Sequence, residues 1–322
     1  MKRDLRTRDI TAMITQYVGR RLLQVAFVLW LAATLAFVAL QLTPGDPAQA
    51  LLAASGATPE EIAERRAQLG LDDPLLTQYA RYLLALARGD LGQSWLHGRP
   101  VAQMILEQLG PTFELALASM LVGVAVGLGL GILAAVRRGT WLDTAATMVA
   151  VMSLSTPTYW SGLLAILLFS LQLGWLPATG EGDLRHLVLP ALVLGLALSG
   201  SIARLVRARV VEVMGDQFVL AARARGLSSR RVLFVHVLRS ALAPALTVVA
   251  LQFGFLLGGA VVTEAVFARR GLGKLALEAI TWRDLPVVRG VVVFGALAYV
   301  LVNLAADLAQ VWLDPRLQGE PA

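Results

Sequence analysis

The sequence predicts an all-α, polytopic membrane protein with six transmembrane helices. Three observations carry this. Of the 322 residues, 57% are apolar and 16% charged, against about 45–50% and about 25% in a soluble domain. Six stretches contain no Asp, Glu, Lys or Arg: 22–45, 115–136, 144–180, 187–203, 240–263 and 290–306. Lys and Arg are unevenly divided among the segments that join them. So large an apolar surplus cannot be covered by so few charges in a soluble core, and it excludes disorder as well. The absence of cysteine excludes a disulfide framework, a thiol nucleophile and a thiolate metal site. His97, His186 and His236 are too scattered for a metal motif.

The basic segment 1–21 precedes a 19-residue apolar run, Leu22–Leu40. A signal-peptide core is about 7–15 residues, whereas a spanning helix needs about 17–25, so 22–42 reads as an uncleaved first helix. The loop 43–111 carries helices of its own. Thr58-Pro59-Glu60-Glu61 has the pattern of a capping box with proline at the first helical position, and Gly70 stops that helix. Asp73-Pro74 opens another that stops at Gly89, with Leu76, Tyr79, Leu83 and Leu86 at helical spacing. The loop suits a helical cap on the outer mouth or a docking surface for an extracytoplasmic partner, and spacing favours the cap.

Gly123, Gly127 and Gly131 recur every fourth residue, as do Gly254 and Gly258. Such faces let helix backbones approach closely in lipid, which makes these five residues candidate packing positions. The run 144–180 reads as one helix bent near Pro157, with Tyr159 beside the kink and the pathway, followed by an interfacial turn at 172–180 that carries Trp175. Polar groups in the spans are few: Gln252, Asn303 and Asp307, with Glu114 and Glu264 at ends. No chain of buried acids suggests ion coupling, and no inverted repeat of broken helices is evident. With the N-terminus inside, the inner segments hold 17 of the 28 Lys and Arg, the asymmetry expected of cytoplasmic loops.

Arg270-Gly271-Leu272-Gly273-Lys274-Leu275 fails as a phosphate loop because position 268 is Ala and position 275 is Leu. Gly200-Ser201 has no histidine at a matching depth to make a hydrolase. The inner loop 204–239 is more informative. It holds eight Arg against Glu212 and Asp216. Gly215-Asp216 breaks one helix and opens a short one at 218–225, which Gly226 ends with a left-handed turn. Ser228 or Ser229 can cap the next helix. A short capped helix with a small-residue side suits a groove on another protein. An Arg-rich loop on anionic headgroups has the same composition.

Several motifs now fall into place. Ala221-Ala222-x-x-x-Gly226, with Pro244 eighteen residues later, resembles the EAA loop of ABC importer permeases, with Leu220 where Glu is usual. The likeness extends to the dipeptide/oligopeptide/nickel branch. Its motifs are Leu42-Thr43-Pro44-Gly45-Asp46-Pro47, Gly89-Asp90-Leu91-Gly92-Gln93-Ser94, Gly98-Arg99-Pro100-Val101 and Ser155-Thr156-Pro157-Thr158-Tyr159-Trp160. Leu176-Pro177-Ala178-Thr179-Gly180, Arg223-Ala224-Arg225-Gly226-Leu227, Phe267 with Gly271-Leu272-Gly273, Asp284-Leu285-Pro286-Val287-Val288 and Leu313-Asp314-Pro315-Arg316 complete them.

The short N-terminus and long first loop are similar to the B-type member of a B/C permease pair. The resemblance implies a MetI-like type I importer fold with core 112–312 and tail 313–322. It implies four kinds of partner: a second, C-type permease, two cytoplasmic ATPases, an extracytoplasmic solute-binding protein and membrane lipid, with no nucleic acid. ATP and Mg would sit on the ATPases, leaving this chain non-catalytic, without cofactor or metal. The membrane would be a bacterial or archaeal cytoplasmic membrane. Residues 217–227 would be the coupling helix. Phe218, Ala221, Ala222, Arg223, Gly226 and Leu227 would dock, supported by Arg230 and Arg231. Di- or oligopeptides are the implied cargo, with nickel, glutathione or another small solute as alternatives. A secondary transporter, or a purely structural subunit, is the remote reading.

Overall fold

The computed structural model describes residues 2–42, 45–52, 56–258 and 260–313. Thr43-Pro44, the tail 314–322 and the Asp307 side chain lie outside the described residues. The described chain is helical, with an antiparallel bridge between Gln93 and Pro100. In order, the helices are α1 (Lys2–Leu42), α2 (Pro47–Leu52), α3 (Pro59–Gln68), α4 (Leu75–Ala87), α5 (Val101–Val136), α6 (Trp141–Ser155), α7 (Thr158–Ala165) and α8 (Arg185–Met214). There follow α9 (Gln217–Ala224), α10 (Ser229–Arg231), α11 (Leu238–Ala241), α12 (Ala243–Leu257), α13 (Val261–Val266), α14 (Leu272–Thr281) and α15 (Leu285–Leu313). π-helical turns, Ile166–Gln172 and Val232–Val237, follow α7 and α10.

Among the described residues, four stretches are long and apolar enough to span a membrane alone: Leu23–Leu42, Val101–Val136, Arg185–Val213 and Leu285–Ala306. Two bent pairs, Trp141–Ser155 with Thr158–Gln172 and Ser229–Ala241 with Pro244–Leu257, make six if each pair is one span. The first pair corrects the expectation of a single bent helix over 144–172, because the chain turns by 102° there. A residue before proline is pushed out of the helical region. Thr156 accordingly adopts φ −84, ψ 122 and closes α6, and Pro157 opens α7.

A further boundary differs from the sequence reading. Residues 101–111, expected as loop, are the first turns of α5, which continues through Pro111. At 36 residues, α5 is about 54 Å long, well beyond an apolar core of about 30 Å. Arg204, Arg207 and Arg209, in the segment read as the inner loop, lie on α8, which continues to Met214 and ends where Gly215-Asp216 is expected to break a helix. An apolar run defines where a helix is hydrophobic, not where it ends.

The chain forms two compact units, residues 1–106 with 276–300, and 107–275 with 301–322. In the first, the Thr58 capping box is complete: Glu61 N donates to Thr58 Oγ1 and Thr58 N to the Glu61 carboxylate. Buried Asp284 accepts from Ser94 Oγ and from Trp95 and Leu96 N, fixing the 93–100 turn to the head of α15. In the second, α5 and α8 meet backbone to backbone. A Cβ on Gly127 would lie 2.7 Å from Ile202 Cβ, and one on Gly195 would lie 2.6 Å from Ser119 O.

Candidate functional site

α8 ends at Gly215, whose N–H returns to Glu212 O. Asp216 then takes the N-cap backbone conformation (φ −70, ψ 149) but makes no side-chain cap bond, so the expected Asp216 cap is positional only. α9 is followed by Gly226 at φ +79, with Gly226 N on Arg223 O and Leu227 N on Ala222 O. Ser228 caps α10 through Arg231 N. The turn at 226 needs a positive φ that glycine alone adopts without strain. No atom lies within 4 Å of a Cβ placed there, so the constraint is conformational rather than steric.

The two sides of α9 differ. Val219 (0% exposed) and Ala222 (9%) point into a core formed with Ile202, Val206, Val210, Val232, Val237 and Leu238. Leu227 packs against the same core. Ala222 and Leu227, expected as docking residues, therefore sit beneath the helix and hold it up. Phe218 (43%) and Leu220 (60%) project outward, and Ala221, Arg223, Arg225, Arg230 and Arg231 are exposed around them. In the sequence Leu220 stands out only as a departure from the motif. Every position of the segment Phe218–Ala222 is apolar, so periodicity cannot say which side faces inward.

An ion pair that sequence reasoning missed braces α8 below this segment. Arg207 Nε and Nη2 donate to the two oxygens of Asp143 at 2.7 and 2.9 Å, and Gly139 N donates to the same carboxylate at 3.0 Å. This fork ties the α5–α6 turn to α8, 64 residues apart. Asp143→Ala strands a partly buried guanidinium and a backbone N–H. A loss of about 1–3 kcal/mol is expected, read as a lowered thermal midpoint of the purified protein.

Glu264, read as a span-end acid, is fully buried. It accepts from Thr112 Oγ1 and Lys274 N at 2.9 Å each, while Thr112 Oγ1 accepts from Leu272 N at 2.8 Å. The free N–H groups that open α14 are thus satisfied and a carboxyl lies at the positive end of its dipole. Burial pushes the Glu264 carboxyl up from its ordinary value, against the pull of these donors. A side chain at Gly271 would collide with that carboxyl, so the Gly271-Leu272-Gly273 motif serves close approach to Glu264 rather than a phosphate. Pro157 heads α7, and Tyr159, on its first turn, is exposed. Gly254 is buried in α12, and Gly258 is that helix's C-cap.

Residues 127–319 match the family described as binding-protein-dependent transport system inner membrane component, and residues 13–116 match that system's N-terminal membrane component. The chain belongs to this family. A putative peptide transport system permease protein of Brucella melitensis is 40% identical over 314 residues, covering 95% of this chain and 99% of the relative. The glutathione transport system permease protein GsiC of Salmonella paratyphi A is 40% identical over 302 residues, covering 94% and 98%. An inward-facing structure of the MetNI methionine ABC transporter matches with TM-score 0.56 at 20% identity, covering 66% of this chain and 97% of that one. The chain thus has the MetI-like fold and is the non-catalytic, multi-pass permease subunit of an ABC importer, a system that also contains an ATPase and a binding protein. Among the described residues, no group of three His, Cys, Asp or Glu is placed to hold a metal.

Proposed function

We propose that this permease forms half of a translocation pathway for short peptides and is driven through α9 by ATPases on the cytoplasmic side, where ATP and Mg are held. A second, C-type permease supplies the other half, and an extracytoplasmic binding protein delivers the cargo. The observation that carries the coupling reading is the two-sided build of α9. Phe218 and Leu220 stand out as apolar knobs within a ring of arginines, on a base locked by Val219 and Ala222. Such a helix fills an apolar groove edged by acids, and its rigid base passes a push to α8 rather than absorbing it. The Lys and Arg asymmetry supports an N-terminus on the same side as α9, and the family supports a bacterial or archaeal cytoplasmic membrane.

The peptide reading is supported by the name of the Brucella relative. The GsiC match supports glutathione equally in identity. Glutathione is itself a tripeptide, so a short-peptide pathway embraces both, and the binding protein makes the finer selection. The chain lacks cysteine, which makes a direct test simple. Phe218→Cys and Ala221→Cys are expected to cross-link to a cysteine placed in the ATPase groove of the assembled transporter. Leu75→Cys should not. Failure of both α9 positions in an assembled complex, with α9 bound to headgroups instead, would remove the docking role.

A further inference from the structure

The helix α4 has two apolar faces, and packing within the first unit uses one of them. On that face Tyr79 Oη is 2.7 Å from Thr34 Oγ1, and Gln41 donates to Gln78. Phe37 lies between Tyr79 and Tyr82, with ring centroids 5.2 and 6.1 Å away. The Arg289 guanidinium sits over both Phe37 and Tyr82. These partners are inside membrane spans rather than beyond them. The first span ends at Leu42, so Phe37 and Thr34 lie about 7 and 12 Å back from its end at about 1.5 Å per residue. α4 therefore lies alongside the last turns of the span, not on top of them.

The other face of α4 is unpartnered. Leu76 (78% exposed) and Leu84 (60%), with exposed Ala80 and Ala87 between and after them, form a stripe at helical spacing. Arg81, paired with Asp73, and Arg88 flank it. Spacing groups Leu76 with Tyr79, Leu83 and Leu86, and in the structure Leu76 is the exposed member at the edge of that group. The helix that α4 packs on, α1, is itself exposed and apolar at Leu31, Leu35, Val38 and Leu42. An apolar stripe edged by arginines on a helix at this depth is the pattern of an interfacial helix, whose apolar face enters the bilayer by about 5–10 Å.

We propose that α4 is embedded in the lipid leaflet at the C-terminal end of the first span. Its Leu76–Ala80–Leu84–Ala87 stripe meets acyl chains, and Arg81 and Arg88 lie at the level of the phosphates. The long loop is thereby anchored in the bilayer at α4, leaving α2, α3 and the 93–100 turn to project into water. The occupant is lipid rather than a protein partner because the stripe is carried by a helix packed beside the last turns of a spanning helix, at acyl depth.

The test uses the complete transporter in vesicles, with an environment-sensitive fluorophore on Leu76→Cys or Leu84→Cys, and Leu35→Cys on α1 for scale. Phosphatidylcholine brominated on its acyl chains is expected to quench both α4 labels more strongly than aqueous iodide does, with a loss of intensity approaching that at Leu35. Stronger quenching by iodide would place the stripe in water, and insensitivity to both would place a protein against it. Either result overturns the proposal.

Discussion

Leucine at position 127 should leave this permease unable to bring α5 against α8, and the protein should fail to accumulate in the membrane. A Cβ at Gly127 would already lie 2.8 Å from Ile202 Cγ2 and 2.9 Å from the Ser199 carbonyl oxygen. Gly131 meets the Ala203 carbonyl at 2.7 Å in the same way, and Gly123 meets that of Gly195 at 3.0 Å. The obstacles include backbone atoms, which cannot rotate aside. Within lipid, helix association has little hydrophobic drive and depends on this close packing. Gly127→Ala is expected to cost about 1–3 kcal/mol, as added methylenes do in tight cores. Gly127→Leu should exceed that and lose the native bundle. Gly129, on the same helix, has no atom within 4 Å of the point a Cβ would occupy. Gly129→Leu should therefore leave membrane level and thermal midpoint unchanged or slightly raised. Equal damage at 127 and 129 would mean that helix propensity or insertion, not the α5–α8 contact, governs the effect.

The features that were legible in the sequence are those set by local chemistry. The Thr58 capping box, the stops at Gly89 and Gly226 and the Ser228 cap each depend on a few neighbouring residues, and each is found in the structure. The apolar runs located the spans because bilayer thickness sets their length. What stayed hidden was set by distance or by uniformity. Asp143 and Arg207 are far apart in the chain, and each reads alone as an ordinary loop charge. Glu264 gave no sign of burial, because its partners Thr112 and Lys274 come from two other segments. In α9 nearly every position is apolar or small, so no period distinguishes Ala222 from Ala221. The kink at Pro157 was readable, but its size of 102° was not, since proline removes a hydrogen bond without dictating where the next helix packs.

The proposed coupling through α9 makes its sharpest demand on Gly226. Its φ of +79 is strained for a β-branched side chain by about 1–2 kcal/mol, equivalent to about a tenfold shift in the population of the turn. Val219 and Ala222 would still anchor the helix, so insertion and folding should survive while the angle at which Phe218 and Leu220 are presented does not. Gly226→Asn, which tolerates the left-handed region better, should lie between glycine and valine. The deciding measurement is ATP-driven peptide uptake, together with ATP hydrolysis and subunit co-purification, for Gly226→Val in vesicles. The expected result is an inserted permease whose uptake falls by about tenfold and no longer tracks hydrolysis. Uptake and assembly both equal to those of the unaltered transporter would contradict the assignment of α9 as the coupling helix.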